Sequence, residues 1–234
     1  MSTPQPRIGV LRFPGTCDDR DALWALAALD ADAVFVWHTE TELPDLDAVV
    51  LPGGFSYGDY LRAGALARFA PVMESVRALA ADGGLVLGIC NGFQVLCEAG
   101  LLPGALRPNH SLSFVCRDVP LTVERTDTPF TARCAKGQRL RIPIKHGEGC
   151  FFAGPELLSE LERSGQIVLR YEGESPNGSV AGIAGIVNAE GNVMGLMPHP
   201  EHAVDALTGS TDGALLLGSL VDAARVNAAE PAAV

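Results

Sequence analysis

The sequence predicts an α/β fold, in which helices flank a doubly wound, mostly parallel sheet with a small antiparallel excursion. Short apolar and β-branched runs alternate with helical patterns in the first half of the chain, which is typical of parallel pairing. The run Leu85–Ile89 is apolar throughout, as expected of a strand that helices cover on both faces. The length of 234 residues suits one compact domain over 1–234, with an Ala-rich end at about 227–234 that we expect to fray.

The elements of the first half follow from apolar periodicity and from the residues that begin or end helices. Pro71 falls in the first turn of a predicted helix, where its missing N–H costs nothing, and Gly100 ends another helix. The predicted strands are 7–13, 33–37, 48–51 and 85–89, and the predicted helices are 19–29, 71–79 and 91–99.

The second half begins with the expected antiparallel excursion, at about 112–144, where strands are shorter and turns more frequent. Glu190-Gly191-Asn192 has the composition of a turn between two late strands. Asp212 is expected to cap a final helix that runs to about Val226. The other predicted elements are a helix at 155–162 and strands at 167–171, 183–188 and 193–196.

Composition excludes several classes of function. The formal net charge is −11 at pH 7, and so acidic a surface repels phosphate backbones, so we expect no nucleic-acid partner. The first residues lack the cationic and apolar pattern of a secretory signal. Every apolar run is far shorter than the roughly 20 residues that span a bilayer. We therefore expect a cytoplasmic protein with no membrane contact.

The six cysteines do not predict a metal site. The chain has no Cys-x-x-Cys pair and no Cys and His grouping with zinc-ligand spacing. A chain of this length without an export signal does not need disulfides. We therefore expect idle or buried thiols at most of these positions, which are Cys17, Cys90, Cys97, Cys116, Cys134 and Cys150.

Cys90 has a context that predicts a nucleophile. It follows an apolar strand within Gly88-Ile89-Cys90-Asn91-Gly92, and a helical pattern comes next. This is the cysteine form of the nucleophile elbow, a tight turn with no room for side chains on either side. The start of a helix offers free N–H groups that favour the thiolate, which is the attacking species. The alternative is a buried cysteine that ends a core strand.

His199 is the histidine whose setting best suits an acid and base for that nucleophile. In Pro198-His199-Pro200-Glu201, the prolines favour an extended chain, in which His199 and Glu201 point to the same side. A carboxylate beside the imidazole would set its tautomer and stabilise its charged form. The alternative is a surface loop with a solvated His and Glu. Together with Cys90, however, the arrangement favours catalysis.

These two motifs together resemble the class I (triad) glutamine amidotransferases. The segment Pro52-Gly53-Gly54-Phe55-Ser56-Tyr57-Gly58-Asp59 is similar to the branch of that class that acts in purine biosynthesis. Further matches run over nearly the whole chain and are Phe13-Pro14-Gly15, Trp37-His38-Thr39-Glu40, His146-Gly147-Glu148-Gly149, Pro176-Asn177-Gly178-Ser179 and Ile183-Ala184-Gly185.

The resemblance implies a role for each site residue. Cys90 would be the nucleophile, His199 the general acid and base, and Glu201 the residue that orients His199. Backbone N–H groups near Gly54 and Asn91 would form the oxyanion hole, which a bare backbone can approach closely. Gln94, one helical turn beyond Cys90, would help to hold the substrate glutamine. No metal is implied.

The resemblance also implies partners. Ammonia from glutamine would pass to a large synthetase subunit that activates formylglycinamide ribonucleotide, and a small helper subunit is often present. ATP and Mg are expected on the synthetase, because this chain has no Gly-x-x-x-x-Gly-Lys-Ser/Thr phosphate loop. Tyr57, Asp59, Tyr60 and Arg62 would face the partner. The alternatives are a triad subunit that serves another acceptor and a non-catalytic binding subunit of the same fold.

Two positions depart from the family pattern. The family commonly has Arg after the catalytic Glu, where this chain has His202, and we expect an altered salt bridge with catalysis retained. The usual Asn-Cys near the start is replaced by Cys17-Asp18, which makes Cys17 a weak candidate for function.

Overall fold

The computed structural model describes residues 5–229 and contains one large mixed sheet. Its nine strands run in the order β2-β1-β3-β4-β11-β10-β9-β6-β7, and β5 and β8 form a separate two-stranded sheet. The strands are β1 (Arg7–Arg12), β2 (Asp32–Trp37), β3 (Ala48–Leu51), β4 (Leu85–Ile89), β5 (Ala105–Arg107), β6 (Val115–Val123), β7 (Arg139–His146), β8 (Cys150–Phe152), β9 (Ile167–Tyr171), β10 (Ile183–Val187) and β11 (Val193–Leu196).

Five helices flank the sheet in the described range, which confirms the predicted α/β fold. Helices α1 and α5 pack on each other and on β1, while α3 packs on β3, β4 and β11. Strands β3, β4 and β11 are buried along their whole length, as their continuous apolar sequences require. The helices are α1 (Asp19–Ala28), α2 (Val72–Ala81), α3 (Asn91–Glu98), α4 (Pro155–Arg163) and α5 (Gly213–Ala229).

The antiparallel part of the fold is larger than the sequence predicts. Strands β2, β1, β3, β4 and β11 pair in parallel, but β11-β10-β9-β6-β7 is antiparallel throughout. The expected excursion therefore extends the main sheet through β6 and β7, and only the β5 and β8 pair lies apart from it.

The end of the chain also differs from expectation. Helix α5 continues to Ala229, three residues beyond Val226, so the first part of the segment expected to fray is helical. The rest of that segment, 230–234, lies outside the described residues. Asp212 stands just before α5, and its carboxylate accepts a hydrogen bond from the backbone N–H of Arg141 at 2.7 Å. Within the described part of the chain, no helix has the length and apolar character to cross a membrane.

The parallel strands place the candidate site. The carboxyl ends of β1, β3, β4 and β11 lie side by side, because these strands are neighbours with matched register. Segments with functional side chains follow each of these ends, at 13–18, 52–56, 90–94 and 197–202. This edge is where open α/β sheets bind their ligands.

Candidate active site

Cys90 sits on a strained turn between β4 and α3, as the sequence predicts. Its backbone has φ 50° and ψ −103°, a conformation that L residues rarely adopt and that costs on the order of 1–3 kcal/mol. The backbone of Gly92 approaches β3 so closely that a Cβ there would lie 1.9 Å from the carbonyl oxygen of Leu51. A Cβ on Gly88 would lie 2.7 Å from the carbonyl carbon of Gly92. The two glycines therefore make the turn possible.

His199 reaches the same place from the neighbouring strand β11. The N–H of Cys90 donates to the carbonyl of Leu196 at 2.8 Å, which fixes the end of β11 against the turn. The N–H of His199 donates to the carbonyl of Pro143 at 2.8 Å, so β7 also holds this segment. The imidazole is fully buried.

Glu201 contacts His199, but not for the reason that the sequence suggests. The chain is not extended through Glu201, because Pro200–His202 forms a single 3₁₀ turn. This turn brings Oε1 of Glu201 to 2.6 Å from Nδ1 of His199. The predicted pair is therefore present, whereas the predicted extended segment is wrong. Pro200 begins the turn, a position where its fixed φ is compatible with helix.

The charges of the three residues favour an imidazolium ion. Burial lowers the pKa of His199, but Glu201 and the charge of Cys90 outweigh burial and raise the pKa to about 10. Nε2 of His199 is buried and has no hydrogen-bond partner among the described residues, so it is available for proton transfer. Cys90 itself is only 5% exposed. The three side chains thus lie together at the carboxyl ends of β4 and β11.

The backbone N–H groups of Gly54 and Asn91 are left without a partner by the secondary structure around them. Thr16 and Gly54 lie opposite each other in an isolated antiparallel bridge. The hydrogen bonds of this bridge lie on either side of the pair: the N–H of Cys17 donates to the carbonyl of Gly53, and the N–H of Phe55 donates to the carbonyl of Gly15. The N–H of Gly54 therefore points away from that bridge. Asn91 is the first residue of α3, so its N–H has no acceptor within the helix. These are the two residues near which the family resemblance implies an oxyanion hole, and that role stays a prediction.

Gln94 is in a buried network that joins α3 to two loops. Its Nε2 donates to the carbonyl of Glu148 at 2.6 Å, and its Oε1 accepts from Nδ2 of Asn91 at 2.9 Å. The same Asn91 amide group lies 3.3 Å from Oδ1 of Asp59, and Oδ1 of Asn91 accepts from the N–H of Ser56. Burial and the charge of Glu148 raise the pKa of Asp59 to about 6.

Sequence reasoning missed two residues of the site, Asp18 and Lys145. Asp18 is 3% exposed, and its Oδ2 lies 3.6 Å from Nδ1 of His199. Nζ of Lys145 forms an ion pair with Oδ1 of Asp18. The position of Asp18 after the first parallel strand is the signal that could have indicated it. Its neighbour Cys17, the weak candidate that the sequence suggests, is exposed. No motif in the sequence indicates that Lys145 belongs to the site.

His202 lies beside both acids of the site. Its Nε2 lies 3.5 Å from Oδ1 of Asp18 and 3.6 Å from Oε1 of Glu201. Asp18, His199, Glu201 and His202 could together offer four metal ligands within 4.8 Å of one another. However, Lys145 already neutralises Asp18, and Nδ1 of His199 is hydrogen-bonded to Glu201. We interpret the cluster as an ion-pair network.

The fold and the cysteine turn with its histidine and acid define a class of protein. Residues 5–213 match the family described as the CobB/CobQ-like glutamine amidotransferase domain. The match covers most of the chain, and the chain belongs to this family.

Relatives narrow the class to one kind of subunit. The chain is 59% identical over 217 residues to phosphoribosylformylglycinamidine synthase subunit PurQ of Nocardia farcinica, covering 92% of this chain and 96% of the relative. It is 53% identical over 232 residues to the subunit of the same name from Salinibacter ruber, covering 95% and 99%. A solved structure of PurLQS from Thermotoga maritima contains a chain with 44% identity and a TM-score of 0.87, covering 94% and 99%.

Proposed function

We propose that this chain is the glutaminase subunit of a phosphoribosylformylglycinamidine synthase. It hydrolyses glutamine to glutamate and ammonia, and a partner synthetase uses the ammonia with ATP to convert formylglycinamide ribonucleotide to formylglycinamidine ribonucleotide in purine biosynthesis. The observation that carries the proposal is the meeting of Cys90, His199 and Glu201 at the carboxyl ends of β4 and β11. The relatives with that subunit name, 53–59% identical over about nine-tenths of the chain or more, support the choice of acceptor.

The first half of the proposed reaction forms a thioester. The Cys90 thiolate attacks the side-chain amide carbon of glutamine, and the N–H groups of Gly54 and Asn91 stabilise the negative oxygen that results. The imidazolium of His199 then gives its proton to the amide nitrogen, which leaves as ammonia when the C–N bond breaks. Glu201 holds the ring by Nδ1, so that Nε2 faces the reacting atoms.

The second half restores the enzyme. Neutral His199 removes a proton from water, the resulting hydroxide attacks the thioester carbon, and the C–S bond breaks to give glutamate and the Cys90 thiolate. Gln94 would support the bound glutamine from the helix that begins at the nucleophile turn. Its amide is held by Glu148 and Asn91 and is therefore oriented before substrate arrives.

The proposal includes a partner and a division of labour. Ammonia released into water at neutral pH becomes ammonium and loses its nucleophilicity, so a shielded route to the acceptor is needed. The synthetase would hold ATP and Mg, and a small helper subunit would complete the complex, as the name of the PurLQS structure suggests. This chain would hold no cofactor or metal, fold as a single domain over 1–234 and act in the cytoplasm.

Labelling and activity together test the proposal. A glutamine-like diazoketone should form one adduct, located at Cys90 by mass spectrometry. In the assembled complex, Cys90→Ala should abolish glutamine-dependent synthesis and leave ammonia-dependent synthesis intact. Cys116→Ala removes an exposed thiol and should change neither rate.

Other results would point to the rival functions. A non-catalytic binding subunit would show no adduct at Cys90. A triad subunit for a different acceptor would form the adduct, yet would transfer no nitrogen to formylglycinamide ribonucleotide when assembled with its synthetase. Glutamine-driven synthesis that persists in Cys90→Ala would overturn the assignment of the nucleophile.

A further inference from the structure

A second carboxylate lies beside the imidazole of the proposed triad. We infer that Asp18 is a positioning residue for His199, and that Lys145 balances its charge. The inference rests on the proposed glutaminase function and assigns two residues to it that act through His199, without contact to glutamine.

The carboxylate of Asp18 is committed to this cluster. Asp18 is the residue before α1, where an Asp side chain ordinarily accepts from the N–H groups of the first helical turn. Here the side chain makes no such cap, although the backbone carbonyl of Asp18 accepts from the N–H of Ala22 at 2.9 Å. The carboxylate turns toward His199 and Lys145 instead. The carboxylate of Asp18 therefore contacts the site and does not cap α1.

Gly53 provides the space for that contact. A Cβ at this position would lie 2.4 Å from Oδ2 of Asp18 and 2.7 Å from Cε1 of His199, so both side chains converge on bare backbone. The N–H of Asp18 also donates to the carbonyl of Gly53 at 3.1 Å. Asp18 is therefore fixed to the residue that precedes Gly54 of the oxyanion hole. Asp18 therefore contacts both His199 and the segment that contains Gly54.

Glu201 and Asp18 both approach Nδ1 of His199, but at different distances. Oε1 of Glu201 makes the hydrogen bond to Nδ1 at 2.6 Å, and Oδ2 of Asp18 lies 3.6 Å from that atom. Glu201 thus orients the ring, and Asp18 acts on it through charge. Opposite charges within about 4–6 Å shift a pKa by roughly 1–3 units.

Lys145 limits how strongly Asp18 acts. Burial raises the pKa of Asp18, but His202, His199 and Lys145 hold it well below its usual range. With Lys145 paired to it, Asp18 presents a partly neutralised charge to the imidazole. His199 must bind a proton before ammonia forms and release it afterwards, so its basicity has to be limited. The titratable or charged groups around His199 are Cys90, Glu201, His202, Asp18, Lys145 and His146.

Opposite shifts in two variants test the inference. Asp18→Asn removes the anion and leaves the ammonium of Lys145, so the pKa of His199 should fall by about one unit or more. Lys145→Met leaves Asp18 unbalanced, so the pKa of His199 should rise. Nuclear magnetic resonance titration of the His199 ring in the full chain, from about pH 5 to 11, measures both.

Turnover in the assembled complex gives a second readout. Asp18→Asn should move the alkaline limb of the pH profile of kcat to lower pH by about one unit, because His199 loses its proton at lower pH, and should change kcat at neutral pH by less than about tenfold. KM for glutamine should change by less than about twofold, since no contact with substrate is removed. Asp18→Asn/Lys145→Met should return the titration of His199 part of the way to that of the wild type. Asp19→Asn is the matched control, because Asp19 is the next residue, is also buried and pairs with Arg12 instead.

An unchanged pKa of His199 in both single variants would overturn the inference, as would equal shifts in Asp19→Asn. If Asp18→Asn does not fold, Lys145→Met decides alone: an upward shift supports the inference, and no shift overturns it. Failure of the proposed function is distinguishable, because the wild type would then not hydrolyse glutamine. The ring titration would still report on Asp18.

Discussion

His199 holds a positive charge where water cannot solvate it. The ring is fully buried, and burial alone would favour the neutral form. The carboxylate of Glu201, itself buried, supplies the compensating charge through a hydrogen bond of 2.6 Å. Because the pKa of His199 is raised in the folded protein, the stability of the fold depends on pH.

Removal of the Glu201 charge should destabilise the protein most at low pH. The pKa of His199 is raised to about 10, so protonation contributes stability that is fully present below about pH 6.5 and is lost toward pH 10. Glu201→Gln should therefore lower the free energy of unfolding by on the order of a few kcal/mol at pH 6, and by less at pH 10. Urea unfolding at the two pH values measures the difference.

Glu42→Gln provides the control for this prediction, because Glu42 is exposed in the loop after β2. It should change the free energy of unfolding by less than about 0.5 kcal/mol at either pH. A deficit in Glu201→Gln that is the same at pH 6 and pH 10 would show that the imidazolium pair is not its source.

The residues of the site differ in how far the sequence reveals them. Cys90 and His199 could be predicted because neighbouring glycines permit the tight turn at Cys90 and neighbouring prolines restrict the backbone at His199. The contact between Asp18 and Lys145 could not be predicted, because it joins positions 127 residues apart and depends on which strands end at the same edge. The reason given for Glu201 was wrong, since a 3₁₀ turn and not an extended chain brings it to the imidazole.

At the scale of elements, the nucleophile turn depends on the close packing of α3 against β3. Gly92 makes this possible, since a Cβ there would meet the backbone of Leu51 and no flexible side chain could move aside. Gly92→Ala should lower the free energy of unfolding by at least about 2 kcal/mol, because the helix must shift from the sheet. Chemical denaturation measures the loss, and diazoketone labelling of Cys90 should slow in parallel.

Gly154→Ala is the matched glycine substitution. Gly154 has φ −65°, and a Cβ there would meet no heavy atom within 4 Å. The free energy of unfolding should change by no more than about 1 kcal/mol, as at other positions that precede a helix. Similar losses in the two variants would mean that the approach to Leu51 is not what requires glycine at position 92.

The sequence predicts the bounds of strands with strong apolar patterns more closely than it predicts how the strands pair in the sheet. Strands β3, β4, β9 and β11 have the predicted bounds, since each is a compact apolar run. The extension of the sheet through β6 and β7 was not predicted. Their pairing is set by long-range register, with Val119 opposite Ile142, and no local pattern shows whether a hairpin joins the main sheet.

At the scale of the whole molecule, the proposed triad is covered while a neighbouring loop is exposed. Cys90, His199 and Glu201 are at most 5% exposed, whereas Tyr60 and Leu61 are 73% and 85% exposed. Asp59 precedes them and receives a hydrogen bond from Asn91 of the nucleophile turn. A partner that binds Tyr60 and Leu61 would therefore contact the loop that contains Asp59, which is hydrogen-bonded to Asn91.

This arrangement predicts that the synthetase controls glutamine hydrolysis. The isolated chain should turn over glutamine slowly, and assembly with the synthetase, its acceptor and ATP should raise the rate about tenfold or more. Leu61→Asp should weaken both assembly and this stimulation by about tenfold or more, because a charge replaces an apolar contact at the interface. Leu207→Asp is the matched control, since Leu207 is 95% exposed in the turn before α5. Equal stimulation of the two variants would place the synthetase elsewhere on the surface.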